Sequence, residues 1–147
     1  MEYRSSTPED IATIFRNLSL RVADQYSAAG FNIDAAKDEL LMSLKEGRSH
    51  TFWKDGKPIA IIAWREQNDV AEIAFAAHES FFSRSTVRFC KKHIRRVQAL
   101  CGNVPVDSYS WSDRPEIIKW FKVLGLNERE RRNGFIVFEL PAPGAQA

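Results

Sequence analysis

Apolar and polar positions alternate in a way that divides the chain into short strands and amphipathic helices. Residues 2–5 predict a first strand. Thr7-Pro8-Glu9-Asp10 then marks a helix start. Thr7 can cap, Pro8 suits the first helical position, and the two acids favour the positive end of the helix dipole. Ile11, Ile14, Phe15 and Leu18 follow at helical spacing. A second helix is predicted from Ile33 to Glu46, with Leu40, Leu41 and Leu44 on its apolar side and Gly47 placed to end it. Ser49–Trp53 and Pro58–Trp64 read as the arms of a hairpin, because Asp55-Gly56 at their junction is a strong turn signal. Val70–Ala77 predicts another strand. A long helix follows over Ser83–Leu100, with Val87, Cys90, Ile94, Val97 and Leu100 along one face. Val104–Tyr109 predicts a strand and Arg114–Leu124 a short helix ending at Gly125. Leu126–Arg131 and Phe135–Leu140 predict a second hairpin across Arg132-Asn133-Gly134.

The resulting order is β-α-α-β-β-β-α-β-α-β-β. It predicts an α/β (α+β) fold, a mixed and mostly antiparallel sheet flanked by helices. The two strands joined through helix 83–100 should be parallel, by the crossover rule. No repeat or linker divides residues 1–140, so a single domain is expected there. Residues 141–147, Pro-Ala-Pro-Gly-Ala-Gln-Ala, lack apolar periodicity and are expected to form a flexible tail.

Composition narrows the function classes. With 147 residues and 44% hydrophobic positions, one core of ordinary size can form. The formal charge of +2 makes no whole-chain case for nucleic acid. No apolar run approaches the roughly 18 residues of a membrane span. Met1-Glu2-Tyr3-Arg4 lacks the basic flank and apolar stretch of a secretion signal, so a cytoplasmic chain is expected. Cys90 and Cys101 form neither a disulfide framework nor a zinc motif and are expected as free thiols. His50, His78 and His93 are scattered without metal-ligand spacing, so no metal is expected.

Several stretches resemble the GNAT (N-acetyltransferase) family. They are Thr7-Pro8-Glu9-Asp10 after a first strand, the hairpin Trp53–Trp64, the run Ile117–Leu126 with its Gly125-Leu126, and the closing hairpin Glu128–Leu140. The resemblance covers residues 1–140 and rests mostly on element order and length. It implies acetyl-CoA as cofactor and an amine, on a small molecule or a protein, as acceptor. The closing run 117–140 also looks like that of the GNAT-like internal virion proteins of short-tailed bacteriophages. That narrower likeness implies a protein made in a bacterial host cytoplasm, binding virion components during morphogenesis.

The family's chemistry can be tested residue by residue. Its pyrophosphate cradle is a Gly-rich loop entering a helix N-terminus, where small residues let the backbone approach the phosphates. The equivalent stretch here, His78 to Arg88, holds no glycine and carries Phe81 and Phe82. The resemblance places a ligand against Ala77, His78, Ser83, Arg84, Ser85, Thr86 and Arg88, with the strand backbone of 74–78 pairing the pantetheine arm. The family's proton-donating Tyr, four residues before the late Gly, is Phe121 here and has no proton to give. The remaining catalytic candidates are Glu72 as base and Tyr109 as acid. Glu72 also reads as a surface strand residue, and Tyr109 as a packed one.

These departures favour a degenerate acetyltransferase-like protein with a partner-binding role. The alternative is an active acetyl-CoA-dependent N-acetyltransferase. A third reading comes from helix 83–100 itself. Arg84, Arg88, Lys91 and Arg95 recur on one face, with Lys92 and Arg96 beside them. That face is either a solvated helix surface or a phosphate footprint.

Overall fold

The computed structural model describes residues 1–144. In chain order the elements are β1 (Glu2–Ser5), α1 (Pro8–Arg16), α2 (Leu20–Ala28), α3 (Ile33–Lys45), β2 (Ser49–Lys54), β3 (Lys57–Gln67) and β4 (Val70–Ala77). A 3-10 turn (Glu79–Phe81) precedes α4 (Arg84–Leu100), β5 (Val106–Ser110), α5 (Pro115–Val123), β6 (Asn127–Arg132) and β7 (Phe135–Leu140). The hydrogen-bonded strand order is β1-β2-β3-β4-β5-β7-β6. The pairs β1–β2, β2–β3, β5–β7 and β6–β7 run antiparallel, whereas β4 and β5 run parallel, as the crossover through α4 requires. The mixed sheet flanked by helices is therefore the predicted fold class.

The chain forms two compact units, residues 1–64 with 74–83, and residues 65–73 with 84 onward. In the first, Ile11 and Ile14 of α1, Leu40 of α3, Ile61 and Ala63 of β3 and Ala76 of β4 form a buried cluster. Phe15, Leu18, Leu41 and Leu44 pack against it. The start of α1 is fixed by a capping box. Thr7 Oγ1 accepts from Asp10 N–H at 3.1 Å and the Asp10 carboxylate accepts from Thr7 N–H at 3.0 Å. Asp10 is 6% exposed and also accepts from Thr51 Oγ1 at 3.0 Å, so the cap is tied into β2. Replacing Thr7 with Ala should cost about 1 kcal/mol, read as a lowered urea midpoint with unchanged slope.

In the second unit, Phe121 of α5 stacks on Phe138 of β7, with ring centroids 4.5 Å apart and planes within 8°. Cys90, Ile94 and Val97 give α4 its buried side. The amide of Gln98 donates to Val104 O and Pro141 O, both at 3.0 Å. Of the expected tail 141–147, Pro141 thus meets α4 through its carbonyl, and 145–147 lie outside the described residues. Both cysteines are buried free thiols, and burial pushes the Cys90 thiol far up from its ordinary value.

One helix, α2, was not expected. Only Val22 of its nine residues is buried and Leu20 is 78% exposed, so it carries no apolar periodicity. Ser19 starts it by accepting from Arg21 N–H. Among the described residues no helix is long and apolar enough to cross a membrane.

Candidate functional site

Within the second unit, the parallel register sets Glu72 of β4 beside Asp107 of β5, and Asp107 beside Glu139 of β7. Tyr109, two residues along β5, lies on the same face as Asp107 because strand side chains alternate. Sequence reasoning named Glu72 and Tyr109, and the fold brings them together on one face. It missed Asp107, which the same alternation could have offered once β4 and β5 were read as parallel neighbours.

The three groups differ in environment. Arg65 Nε donates to Glu72 Oε2 at 2.6 Å, across the turn at Asn68 and Asp69. Glu72 therefore reaches any ligand only with a guanidinium at its side. Asp107 is 4% exposed. Its Oδ2 accepts from Arg129 Nη2 at 2.8 Å, while Oδ1 has no hydrogen-bond partner among the described residues. Burial raises the Asp107 carboxyl above the usual range; Arg129 opposes this, and Glu72 and Glu130 add to it. Tyr109 is 39% exposed and stacks on Phe135, with centroids 5.5 Å apart and planes within 3°. Partial burial, then the charges of Glu72 and Asp107, hold its hydroxyl above its ordinary value. Tyr109 thus keeps its proton at neutral pH, as a proton donor must.

The cradle stretch has a definite geometry. Phe81 is 1% exposed and packs on Phe52 and Phe75, at centroid distances of 6.1 and 5.7 Å. Its ring belongs to the core of the first unit. Phe82 lies under the Arg21 guanidinium at 4.9 Å, and Arg21 pairs with Glu79 at 3.1 Å.

Three backbone donors early in the loop are engaged. Ser80 N–H donates to His78 Nδ1, Phe81 N–H to His78 O and Phe82 N–H to Glu79 O. On the preceding strand end, His78 N–H donates to Ile59 O, and Ala77 O accepts from Ser19 N–H. Donors that close a 3-10 turn cannot also hold a pyrophosphate. Of the residues named for a ligand, Ala77 and Thr86 are fully buried, whereas Arg84, Ser85 and Arg88 are exposed at the start of α4. The first turn of α4 still presents N–H groups without intrahelical acceptors. The Ser80, Phe81 and Phe82 N–H groups are therefore not open to a pyrophosphate, which leaves the start of α4 to meet one. Phe121, in the proton donor's place, is 6% exposed against Phe138. No group of three or more His, Cys, Asp or Glu among the described residues is placed to hold a metal.

No protein-family model and no curated protein matches the sequence. Solved structures do match in fold. PaiA N-acetyltransferase from Thermoplasma acidophilum, in complex with coenzyme A, is 13% identical with a TM-score of 0.73, over 95% of this chain and 98% of that one. The GNAT domain of S. lividans PAT is 16% identical with a TM-score of 0.72, over 94% and 88%. YncA, a putative acetyltransferase from Salmonella typhimurium with its cofactor acetyl-CoA, is 12% identical with a TM-score of 0.67, over 99% and 96%. At such identities the likeness shows the fold: this chain has the GNAT N-acetyltransferase fold. Nothing in these likenesses bears on the narrower resemblance to phage virion proteins.

Proposed function

We propose that this chain is a GNAT-fold protein with weak or lost acetyl-transfer activity, working chiefly by binding a partner. The observation that carries this reading is the engagement of the Ser80, Phe81 and Phe82 N–H groups by their own turn, where a pyrophosphate would need them. Phe121 in the proton donor's place points the same way. The run of residues 117–140 adds a partner class: its likeness to phage internal virion proteins makes virion components the first partners to test. Recovery of the chain in purified particles of a producing phage, rather than in the soluble lysate alone, is the expected result under that assignment.

A second reading is favoured by one arrangement, the shared face of Glu72 and Tyr109. In an active N-acetyltransferase Glu72 would take the acceptor amine's proton and Tyr109 would supply one. Coenzyme A release from acetyl-CoA, followed with a thiol reagent over a panel of primary amines, separates the two readings. We expect release at the no-enzyme background. Turnover that falls at least about 100-fold in both Glu72→Gln and Tyr109→Phe, in line with acid–base contributions of that order, would establish the enzyme instead.

A further inference from the structure

We propose that the exposed face of α4 binds a nucleic-acid backbone. The helix has 17 residues and carries Arg84, Arg88, Lys91, Lys92, Arg95 and Arg96 with no acid among them. All six are exposed. Arg96 is held against His93 Nδ1 at 2.8 Å. The other five make no ion pair with any acid among the described residues, although elsewhere Arg65, Arg129, Arg131 and Arg132 all do. Like charges repeat at i and i+4 along this face (Arg84 with Arg88, Arg88 with Lys92, Lys91 with Arg95), an arrangement that repels itself until a polyanion neutralises it.

Spacing selects the polyanion. Arg84, Arg88, Lys91 and Arg95 form one stripe spanning about 16 Å at the helical rise. One strand of a duplex carries a phosphate every 3.4 Å of axis, so the stripe faces roughly five phosphates. Three of its four members are arginines, whose forked donors suit phosphate oxygens. An anionic membrane is less well matched. A surface-bound helix inserts an apolar face, and here that face (Cys90, Ile94 and Val97) is buried in the fold. An acidic protein is also less well matched, because the stripe has no aromatic or aliphatic anchor within it.

Lys91, Lys92 and Arg95 lie outside the cradle residues, so the inference does not depend on acetyl-CoA binding. The test is fluorescence anisotropy with two labelled probes, a 20-base-pair DNA duplex and a 20-nucleotide single-stranded RNA, between 50 and 300 mM salt. Saturable binding to either probe is expected. Four phosphate contacts on a duplex predict a log–log salt slope of about −3.5. Lys91→Glu, Lys92→Glu and Arg95→Glu combined should weaken binding at least 100-fold at 50 mM salt and flatten the slope by about 2. A control carrying Arg16→Glu, Lys45→Glu and Lys57→Glu changes net charge equally at exposed sites of the first unit and should keep most of the affinity. The Gln versions of the α4 triple, matched in circular dichroism and Tm, guard against a folding defect and should still lose at least 10-fold. Absent binding at 50 mM salt, or equal loss in the control, would overturn the proposal. So would binding confined to phosphatidylserine vesicles or to an acidic protein such as α-lactalbumin.

Discussion

Phe81→Ala should destabilise the protein by about 3–5 kcal/mol, one of the largest effects of any single substitution in this chain. The ring is 1% exposed and wedged among Phe52, Phe75 and Phe82. Its removal leaves a cavity that neighbouring strands β2 and β4 cannot close without shifting backbone. Urea unfolding followed by tryptophan fluorescence measures the loss as a shift in midpoint. Phe82→Ala is the comparison. That ring is only half-buried under Arg21, and its loss should be clearly smaller. Equal effects would mean that Phe81 does not anchor the turn at Glu79–Phe81 in the core. The engaged N–H groups of that turn would then lose their structural basis.

Arg129→Ala should cost about 2–3 kcal/mol near pH 7, below the usual 3–5 for breaking a buried pair because Arg129 is itself 40% exposed. The cause is the Asp107 carboxylate, which would stay buried beside Glu72 and Glu139 with its one cationic partner gone. The pH dependence has a fixed sign. Burial raises the folded-state value of Asp107, so the native protein holds this proton at pH values where the unfolded chain has released it. Stability from this group therefore falls as pH rises from the unfolded value, about 4, through the raised folded value. In Arg129→Ala the fall steepens, and the variant's deficit should shrink markedly at pH 4. In Asp107→Asn the fall attributed to this group disappears. A deficit for Arg129→Ala that is the same at pH 4 and pH 8 would show that Arg129 contributes packing alone.

Much of the fold was legible because the hairpins announce themselves. Asp55 and Gly56 both take positive φ, 51° and 75°, which is what a two-residue hairpin turn of this kind demands. The parallel pair β4–β5 followed from the long helix between them. The turn at Asn68 and Asp69 was less legible. Both take positive φ without a glycine, so the residue pattern did not show that β3 runs on to Gln67 and brings Arg65 onto Glu72. Helix α2 was invisible for lack of an apolar face. At the site, residue types were readable but directions were not. The sequence put two aromatics in the cradle stretch, and only the fold shows Phe81 turned into the core and three of the loop's donors closed on their own turn. Asp107 escaped notice because a single acid in Val-Asp-Ser-Tyr-Ser reads as an ordinary outward strand position until its register with Glu72 is known.

The departures from the family pattern also share a physical logic. A glycine-rich cradle leaves N–H groups without partners until a phosphate arrives. Here His78 and Glu79 supply those partners within the chain. The Ser80, Phe81 and Phe82 donors are thereby satisfied without ligand, and a phosphate there would have to displace bonds already made. At Phe121, where the resemblance would put a hydroxyl, a ring stacks on Phe138 instead. Both features support the proposed reading of a partner-binding scaffold with weak or lost acetyl transfer.

Calorimetric titration of the purified protein with acetyl-CoA, and separately with free coenzyme A, tests that claim most directly. The engaged cradle predicts no saturable heat and no rise in Tm with either ligand up to about 1 mM, the range of a Kd worth roughly −4 kcal/mol or less. Saturable binding of acetyl-CoA at micromolar Kd, weakened by Arg84→Glu, would contradict it and return this chain to the working acetyltransferases whose fold it has.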